Sequence, residues 1–326
     1  SDSEDAPVLA LDLLAGAADP DGDALAVVGL AGPDFAGAPV AFTLSGGVLS
    51  LAPGRFDALA EGARAELVFT YSVSDGRDEV PAAATITVLG ADDAPVVADA
   101  AGATSEDAAV LLAPLAGAAD PDAGETPGLV SVAGTAAAPG VAVLLPSGAR
   151  ATPQADGTLL YDPAGAFDAL PEGGAATDVF VFAAGDARAG TTAEIRVDVA
   201  GANDAPRAAD DGGEGFATDE DTPLETPSLL ANDLDPDAGA SLAVIEIAGR
   251  SVAPGDTVAL PSGARATLRA DGALGYDPTG AFDALAEGER VTDAFAYAVS
   301  DGLGGRSEAV VRVEVAGRAE PPPPLN

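Results

Sequence analysis

The chain has 326 residues and a formal net charge of −39, it contains no His, Cys, Met or Trp, and its fourteen basic residues are all arginines. This composition excludes the ordinary zinc, haem, copper and iron–sulfur sites and the catalytic triads that need His or Cys. The negative charge disfavours nucleic-acid and anionic-membrane partners, and it leaves a surface rich in carboxylate oxygens, which hard divalent cations prefer as ligands.

Large apolar residues are few for so highly charged a chain, and the composition lies close to that of disordered proteins. A folded core therefore needs something that neutralises the carboxylates, and a high-salt habitat or bound calcium would do so. The sequence contains no run of eighteen apolar residues, so it does not predict a membrane-spanning helix. The sequence begins without Met and without a signal peptide, so we expect a processed product or a piece of a longer protein.

Several motifs recur along the chain at similar spacing, which indicates internal repeats. FDALAEG at 56–62 returns as FDALPEG at 167–173 and as FDALAEG at 282–288, with the phenylalanines 111 and 115 residues apart. GADDAP at 90–95 returns as GANDAP at 201–206. We therefore predict boundaries between repeats, here called seams, just before Pro95 and just before Pro206. The predicted units are repeat 1 (1–94), repeat 2 (95–205), repeat 3 (206–316) and a proline-rich tail (317–326).

The predicted elements of repeat 1 begin after Ser-Glu-Asp at 3–5, which leaves no room for a first strand A. Alternating apolar residues at 66–73 and 85–89 predict two strands. The segment 42–59 lacks the Asp-Gly hairpin that the other two repeats carry. We therefore expect repeat 1 to have an exposed sheet edge and to be the least stable of the three.

In repeat 2 we place strand A at 95–100 and strand B at 109–115. Residues 145–163 then predict a hairpin closed by an Asp-Gly pair, which favours a type I′ turn with positive φ at both positions. Residues 260–278 repeat this pattern in repeat 3, and residues 310–315 alternate as a final strand.

No segment shows a sustained helical period, and turn signals recur about every ten residues. Short strands in units of this size predict an all-β fold of three tandem immunoglobulin-like β-sandwiches, each with seven strands, in an extended array. Aromatic residues two apart, such as Phe180 and Phe182, should face the core of each sandwich. The missing Cys and Trp exclude antibody-like domains, which pack a disulfide against a Trp.

The succession of motifs resembles a known family of repeats. The motifs that carry this resemblance are Glu-Asp, Asp-Pro-Asp, the block at 260–278, FDALAEG, DAFAYAVSDGLGG at 293–305 and GANDAP. The chain looks like the VCBS and cadherin-like repeats of large secreted bacterial adhesins of the RTX type. Repeat 3 resembles the family most, whereas repeat 1 lacks the hairpin block and repeat 2 departs from the pattern at 182–190. The resemblance implies calcium-binding, cadherin-like sandwiches in tandem, secreted or displayed on a bacterial cell surface.

If the strands alternate in direction, the acidic motifs of neighbouring repeats meet at the seams. The A–B loop lies at the exit end of one repeat, and the B–C and F–G loops lie at the leading end of the next. Junction 1/2 then combines Glu4, Asp5, Asp92, Asp93, Asp120 and Asp122, with Glu125 and Asp186 nearby. Junction 2/3 combines Glu106, Asp107, Asn203, Asp204, Asp235, Asp237 and Asp301, with Asp233 nearby. Such oxygen-rich sets suit Ca²⁺, and the layout resembles cadherin junctions.

The leading end of repeat 1 carries the same motif in Asp19, Asp21 and Asp23, but no preceding linker completes a shell, so we expect its calcium site to be the weakest. An EF-hand is excluded, because the twelfth position counted from Asp19 is Leu30. Each acidic motif taken alone also fits a plain turn or a capped loop without metal. The recurrence at matched positions favours calcium.

These observations favour a calcium-stiffened extender or adhesion module whose partners are neighbouring repeats of the same or a longer chain. Carboxylate pairs can hydrolyse glycosides, but the sequence does not predict a cleft with aromatic walls, so we expect no enzyme. The alternative is a self-assembling filament subunit, in which a neighbour's strand completes repeat 1. We expect no nucleic-acid partner and no insertion into a membrane.

Overall fold

The computed structural model describes residues 2–52, 54–186 and 190–319. Within these ranges the backbone forms strands, turns and loops and contains no helix. A membrane-spanning helix is accordingly not found in the described part of the chain. The proline-rich tail that we predict lies, from residue 320 onward, outside the described residues.

Each repeat contributes nine strands within the described residues. Those of repeat 1 are β1 (Asp2–Ser3), β2 (Leu9–Asp12), β3 (Ala26–Ala31), β4 (Asp34–Phe35), β5 (Ala38–Pro39), β6 (Thr43–Ser45), β7 (Val48–Leu51), β8 (Arg64–Ser74) and β9 (Glu79–Leu89). Those of repeat 2 are β10 (Ala100–Ser105), β11 (Val110–Leu112), β12 (Gly128–Val132), β13 (Thr135–Ala136), β14 (Val143–Leu144), β15 (Arg150–Pro153), β16 (Leu159–Asp162), β17 (Ala175–Gly185) and β18 (Gly190–Ala200). Those of repeat 3 are β19 (Ala217–Asp219), β20 (Leu224–Ser228), β21 (Ala243–Ile247), β22 (Arg250–Ser251), β23 (Thr257–Ala259), β24 (Arg265–Leu268), β25 (Ala273–Asp277), β26 (Arg290–Ser300) and β27 (Arg306–Ala316).

Two sheets form a sandwich in each repeat. In repeat 2 their strand orders are β10-β18-β17-β12-β13 and β11-β16-β15-β14, and repeat 3 has the same orders in β19-β27-β26-β21-β22 and β20-β25-β24-β23. Repeat 1 has β1-β9-β8-β3 and β2-β7-β6, with a separate β4-β5 pair. The first strand of each repeat pairs in parallel with its last strand. This is an immunoglobulin-like arrangement, and the predicted all-β fold class is confirmed. The predicted number of seven strands is wrong, because the described part of each repeat has nine, several of them only two or three residues long.

An apolar core fills each sandwich and takes alternate residues from both sheets. In repeat 2, Phe180 and Phe182 of β17 are 4% and 1% exposed and pack with Tyr161 of β16. Burying one phenylalanine side chain contributes about 1.5–3 kcal/mol. The corner residue Phe56 is fully buried, whereas its counterpart Phe167 is only partly buried. The prediction that the paired aromatic residues face the core is confirmed.

The hairpins differ from the predicted turn type. In repeat 2, residues 154–158 join β15 to β16, and only Gly157 of the Asp-Gly pair has a positive φ, of 82°. The Gln154 carbonyl accepts a hydrogen bond from Gly157 N at 3.2 Å, so the loop is longer than a two-residue type I′ turn. Residues 42–59 of repeat 1 contain no Asp-Gly pair, yet Gly46 and Gly47 join β6 to β7, both with positive φ. The type I′ geometry therefore occurs in the repeat where we did not predict it.

The first strand of each repeat ends directly before the Glu of its acidic motif. In repeat 2 this strand is β10, later in the chain than the predicted 95–100: only Ala100 of that range belongs to it, and Val96 forms an isolated bridge with Ala119. Strand B is found as β11 and is shorter than predicted. In repeat 1, β1 pairs with β9 at Val88 and Leu89, so the strand A that we expected to be missing is present over two residues.

A buried carboxylate braces repeats 2 and 3 from within. Asp178 of β17 is 5% exposed, and its Oδ2 accepts hydrogen bonds from Ser147 Oγ at 2.7 Å and from Tyr161 at 2.9 Å. The equivalent residues in repeat 3 are Asp293, Ser262 and Tyr276. Repeat 1 has the apolar Leu67 at the position of Asp178. No sequence motif indicates this contact, because its members lie far apart in the chain.

Candidate metal centres

One glutamate closes the exit end of each sandwich. Glu4 and Glu106 follow directly after the first strands and are 2% and 3% exposed. The Glu4 N–H donates to Leu89 O at 3.0 Å, and Oε1 accepts a hydrogen bond from Ala91 N at 2.7 Å. Glu106 repeats these contacts, with its Oε1 2.6 Å from Ala202 N. Each glutamate thus binds the linker to the sheet that the linker leaves.

At junction 1/2, the linker also binds the Asp-Pro-Asp turn of the next repeat. Asp93 N donates to Asp122 Oδ2 at 2.9 Å, and Asp122 N donates to Asp120 Oδ1 at 3.0 Å. A backbone hydrogen bond of 3.2 Å from Ala123 N to Ala58 O joins this turn to the FDAL corner of repeat 1. Asp122, at 1% exposure, is therefore enclosed between two repeats and their linker.

These contacts bring the predicted carboxylates of junction 1/2 together in three overlapping groups. Within each group the ligand atoms lie within 4.8 Å of one another: Glu4, Asp93 and Asp122; Asp92, Asp122 and Glu125; Asp120, Glu125 and Asp186. Two oxygens that bind one calcium ion at about 2.4 Å are at most about 4.8 Å apart, so each group fits one cation. Asp122 and Glu125 belong to two groups each and are placed to bridge neighbouring cations.

Junction 2/3 keeps the central group. Ligand atoms of Glu106, Asp204 and Asp237 lie within 4.8 Å of one another. Asp204 N donates to Asp237 Oδ2 at 2.9 Å, and Ala238 N donates to Ala169 O at 3.2 Å, as in the first junction. The same three elements therefore build the centre of both junctions: exit glutamate, linker aspartate and turn aspartate.

The outer part of junction 2/3 is different. Asn203 occupies the position of Asp92, and Ala240 occupies that of Glu125. The Asn203 amide donates from Nδ2 to Asp301 Oδ2 at 2.9 Å. An amide hydrogen bond thus replaces part of the charge of the first junction.

Several buried oxygens of these residues have no hydrogen-bond partner among the described residues. They are Glu4 Oε2, Asp120 Oδ2, Asp122 Oδ1, Glu106 Oε2, Asn203 Oδ1, Asp235 Oδ2 and Asp237 Oδ1. Buried polar atoms are nearly always paired, so unpaired oxygens indicate a ligand that accepts their lone pairs. Because carboxylate and amide oxygens suit hard cations, the residues present fit a divalent metal ion.

Burial raises the pKa of both exit glutamates. Desolvation is the largest cause at Glu4 and Glu106, and the charges of neighbouring aspartates add to it. At Asp301 burial also acts to raise the pKa, but hydrogen bonds from Asn203 and from backbone N–H groups outweigh it and lower the pKa. A bound cation would lower the raised pKa of these glutamates, because an opposite charge favours the ionised form of a carboxylate.

Some predicted residues lie outside these groups. Asp5 and Asp107 are exposed beside the buried glutamates. Asp19 Oδ1 accepts hydrogen bonds from Asp21 N at 2.8 Å and Asp23 N at 3.1 Å, so this turn closes on itself. Asp21 and Asp23 are exposed, and these three belong to none of the carboxylate groups found in the described part of the chain. A weak cation site at this end stays a prediction.

Two residues of repeat 3 depart from the expectation. Asp233, expected near junction 2/3, lies inside the sandwich, where its Oδ1 accepts a hydrogen bond from Ala209 N at 2.8 Å. Glu220, which we did not single out, is 1% exposed and repeats the exit-glutamate geometry, with Oε1 2.7 Å from Arg318 N. The Asp-Glu-Asp motif at 219–221 was the signal that could have identified it.

Two ranges of the chain match known domain families. Residues 203–317 match the bacterial cadherin-like domain, and residues 2–88 match a bacterial Ig domain. The predicted resemblance to bacterial cadherin-like repeats is confirmed at this level. A search of curated proteins found no match to the chain.

Cadherin ectodomains are among the solved structures similar to this chain. The crystal structure of mouse Cadherin-23 EC22-24 is 15% identical with a TM-score of 0.42, covering 90% of this chain and 85% of that one. Protocadherin Gamma B7 extracellular cadherin domains 1-4 give 14% identity, a TM-score of 0.37 and coverage of 90% and 67%. The human Desmocollin-1 ectodomain gives 11%, 0.39, 89% and 54%, so this chain spans about half of that structure.

Proposed function

We propose that the chain is a calcium-stiffened, non-catalytic extender or adhesion module of a secreted or surface-displayed bacterial protein. One observation carries the proposal: at both junctions, buried carboxylates of the two repeats and a half-buried carboxylate of the linker have ligand atoms within 4.8 Å of one another. The two matched bacterial domain families support an extracellular setting. The VCBS repeats of RTX-type adhesins are the subfamily that this proposal favours.

The stiffening follows from where the ligands are attached. Glu4 is fixed to the last strand of repeat 1, Asp93 belongs to the linker, and Asp122 belongs to the first turn of repeat 2. A cation bound to all three would cross-link them, and bending the junction would then require metal–oxygen bonds to break. Without the cation these charges repel one another at short range in a partly buried setting. Calcium binding to the ordered junction therefore stabilises it by mass action.

The proposed calcium ligands come from both junctions. At junction 1/2 they are Glu4, Asp92, Asp93, Asp120, Asp122, Glu125 and Asp186, and at junction 2/3 they are Glu106, Asn203, Asp204, Asp235, Asp237 and Asp301. Calcium suits them better than magnesium, because it accepts irregular shells of about six to eight oxygens whereas magnesium demands a near-ideal octahedron. Asp5 and Asp107 would contribute charge at the rim.

Small-angle X-ray scattering of the whole chain tests the proposal. In calcium we expect an extended rod, and in chelator we expect a flexible chain in which the junctions loosen before the sandwiches unfold. Far-ultraviolet circular dichroism on the same samples checks that the strands persist. The same scattering curve with and without calcium would contradict the proposal.

A second candidate function is that of a filament subunit. The last strand of repeat 1, β9, has eleven residues, but β1 covers its outer edge only at Val88 and Leu89. An open edge of this kind is a template for a strand from another chain. Electron microscopy in calcium separates the two candidates, since isolated three-bead rods favour the spacer and long fibres favour the filament.

A further inference from the structure

Repeat 3 contains a pair of buried carboxylates that is separate from the junction groups. Asp211 and Asp233 are 7% and 8% exposed. The Asp211 N–H donates to Val310 O at 3.0 Å, and its carbonyl accepts from Arg312 N at 2.9 Å, which fixes it against β27. Asp233 follows β20, in the other sheet, and its Oδ1 accepts from Ala209 N. Elements of both sheets thus place the two carboxylates inside one sandwich.

The hydroxyl of Tyr297 lies among oxygen atoms at this place. It is 2.9 Å from Ala209 O, 3.2 Å from Leu229 O and 3.2 Å from Asp233 Oδ1. It also interacts with Asp211. A tyrosine hydroxyl has one proton to donate, so it satisfies one of these acceptors at a time. Ala209 N also donates to Asp233 Oδ1, and Asn232 Nδ2 lies 3.5 Å from Ala209 O, yet these donors leave Asp211 Oδ2 without a partner among the described residues.

No arginine in the described part of the chain forms an ion pair with either carboxylate. Arg312, which is hydrogen-bonded to the backbone of Asp211, directs its guanidinium to Asp210 Oδ2 at 2.7 Å. Asp211 Oδ2 is buried and has no hydrogen-bond partner among the described residues. Burial, opposed by the Tyr297 hydrogen bond and assisted by the charge of Asp233, raises the pKa of Asp211 to about 6. An ionised carboxylate that is buried without an opposite charge is costly, so this pair needs a compensating charge or proton.

Repeat 2 provides an internal comparison for this pair. The residues at the positions of Asp211, Asp233 and Tyr297 are Ala100, Ala118 and Phe182. All three oxygen-bearing side chains are thus replaced by apolar ones in a sandwich with the same strand order. The polar set is therefore not needed to build the fold, which indicates that it serves a ligand.

We propose that Asp211 and Asp233 bind a divalent cation inside repeat 3, with calcium favoured because every available ligand is oxygen. Asp211 Oδ2, the carboxylate of Asp233 and the carbonyls of Ala209 and Leu229 supply the protein ligands, and water completes the shell. The Tyr297 hydroxyl is a neutral oxygen beside them. The cation connects the segment before β19 to the end of β20, so it locks the two sheets of one domain rather than two domains.

Calcium stoichiometry of the full chain tests this site. In titration calorimetry, Asp211→Asn and Asp233→Asn should each bind one calcium ion fewer than the parent, because the amide keeps the side-chain shape and removes the charge. Asp210→Asn, at the exposed neighbour, is the matched control and should keep the parent's count. An unchanged count in both buried-site variants overturns the proposal and leaves a shared proton as the occupant of the pair.

A second variant guards against misfolding. Combining Asp211→Ala, Asp233→Ala and Tyr297→Phe gives repeat 3 the residues that repeat 2 already carries, so the sandwich should fold. This variant should lose the same single calcium ion, and its repeat 3 should unfold at a temperature that depends less on calcium. A calcium count equal to that of the parent contradicts the proposal.

Terbium used in place of calcium gives a local readout. The chain has four tyrosines and no Trp, so tyrosine-excited terbium emission reports ions bound close to a tyrosine. Tyr297→Phe should lower this emission while terbium binding persists, and emission equal to that of the parent would argue against an ion beside Tyr297. Asp122→Asn with Asp237→Asn should leave the emission from this site in place. Failure of the junction proposal and failure of this one are thus distinguishable, because each is tested with its own variants.

Discussion

Junctions 1/2 and 2/3 share a central carboxylate group and differ in what surrounds it. Asp92 and Glu125 extend the cluster at junction 1/2 into three overlapping groups. Asn203 and Ala240 stand at their positions in junction 2/3, where the described residues form one group of three carboxylates. Two residue differences in matching loops therefore distinguish the cluster of junction 1/2, which suits several cations, from that of junction 2/3, which has one group of three carboxylates.

The electrostatics of the two junctions differ in the same direction. At junction 1/2 the pKa of Glu125 is raised, first by desolvation and then by the charge of Asp186. At junction 2/3 Asn203 donates a hydrogen bond to Asp301, whose pKa is lowered. At junction 2/3 the Asn203 amide therefore stabilises the ionised form of a carboxylate, whereas at junction 1/2 a cation would have to provide this stabilisation. We infer that junction 1/2 depends more on calcium.

Paired substitutions should break the two junctions to different extents. Asp120→Asn with Asp122→Asn should loosen junction 1/2 and lower its calcium affinity by more than about tenfold, because Asp122 belongs to two groups. Asp235→Asn with Asp237→Asn should loosen junction 2/3 by a smaller factor. Asn keeps the turn, so a residue that acts only as a turn former would tolerate the change.

Distances between fluorophores measure both effects. The chain has no Cys, so cysteines introduced at Ala38, Thr135 and Arg250 can be labelled in pairs; each follows the same Ala-Gly turn with positive φ in its repeat. The pair 38/135 reports junction 1/2, and 135/250 reports junction 2/3. Each double variant should broaden only the distance distribution across its own junction in calcium. If neither distance distribution broadens, the acidic turns act only as structural loops and do not bind calcium.

An exchange of residues should sharpen the comparison. Asn203→Asp with Ala240→Glu gives junction 2/3 the ligands of junction 1/2, so we expect at least one additional calcium ion per chain. The variant should also make the 135/250 distance more sensitive to chelator. An unchanged stoichiometry would mean that positions 203 and 240 do not set the number of cations.

The metal-free chain should respond to pH in the opposite sense to the calcium-bound chain. Burial raises the pKa of Glu4 and Glu106 above the ordinary value for a glutamate, so in the absence of metal their stabilising effect is present at acidic pH and is lost as pH rises through the raised pKa. In calcium, acidification should instead weaken the junctions, because protons compete for the ligands. Distance distributions in calcium-free and calcium buffers between neutral pH and about pH 4.5 check both signs.

Junction 1/2 should show the larger of these pH effects. Burial raises the pKa of the linker aspartate at both junctions, Asp93 and Asp204. The pKa of Glu125 is raised at junction 1/2, where junction 2/3 has Ala240, and the pKa of Asp301 at junction 2/3 is lowered. Identical pH profiles at the two junctions would mean that the surrounding residues do not tune the central group.

The smallest expected effect concerns repeat 1 in saturating calcium. Its leading loop holds Asp19 in a self-closed turn, and it lacks the buried Asp178 brace of repeat 2. Amide hydrogen exchange in residues 8–30 should therefore be faster than in 109–132 and in 224–248. Equal protection in all three ranges would show that another contact fills the exposed edge of repeat 1.

Sequence alone determined the fold class, the recurring units and most members of the junction groups. Alternation with a period of two places aromatic residues on one face of a strand whatever their surroundings, and the repeated Glu-Asp, linker and Asp-Pro-Asp motifs fix which loops carry charge. The turn around Asp19 has the same internal hydrogen bond as the turn around Asp122, from the Asp-Pro-Asp pattern alone.

Only the tertiary structure decided which of these turns are buried among other carboxylates. Asp21 is exposed and Asp122 is 1% exposed, although their local sequences match, because the linker and the FDAL corner of a preceding repeat cover the second turn. The buried pair of Asp211 and Asp233 was likewise hidden, since Asp211 pairs with β27 while Asp233 lies in the loop after β20 of the other sheet, 22 residues further along the chain. Burial and the convergence of distant oxygens are properties of packing, and no local pattern contains them.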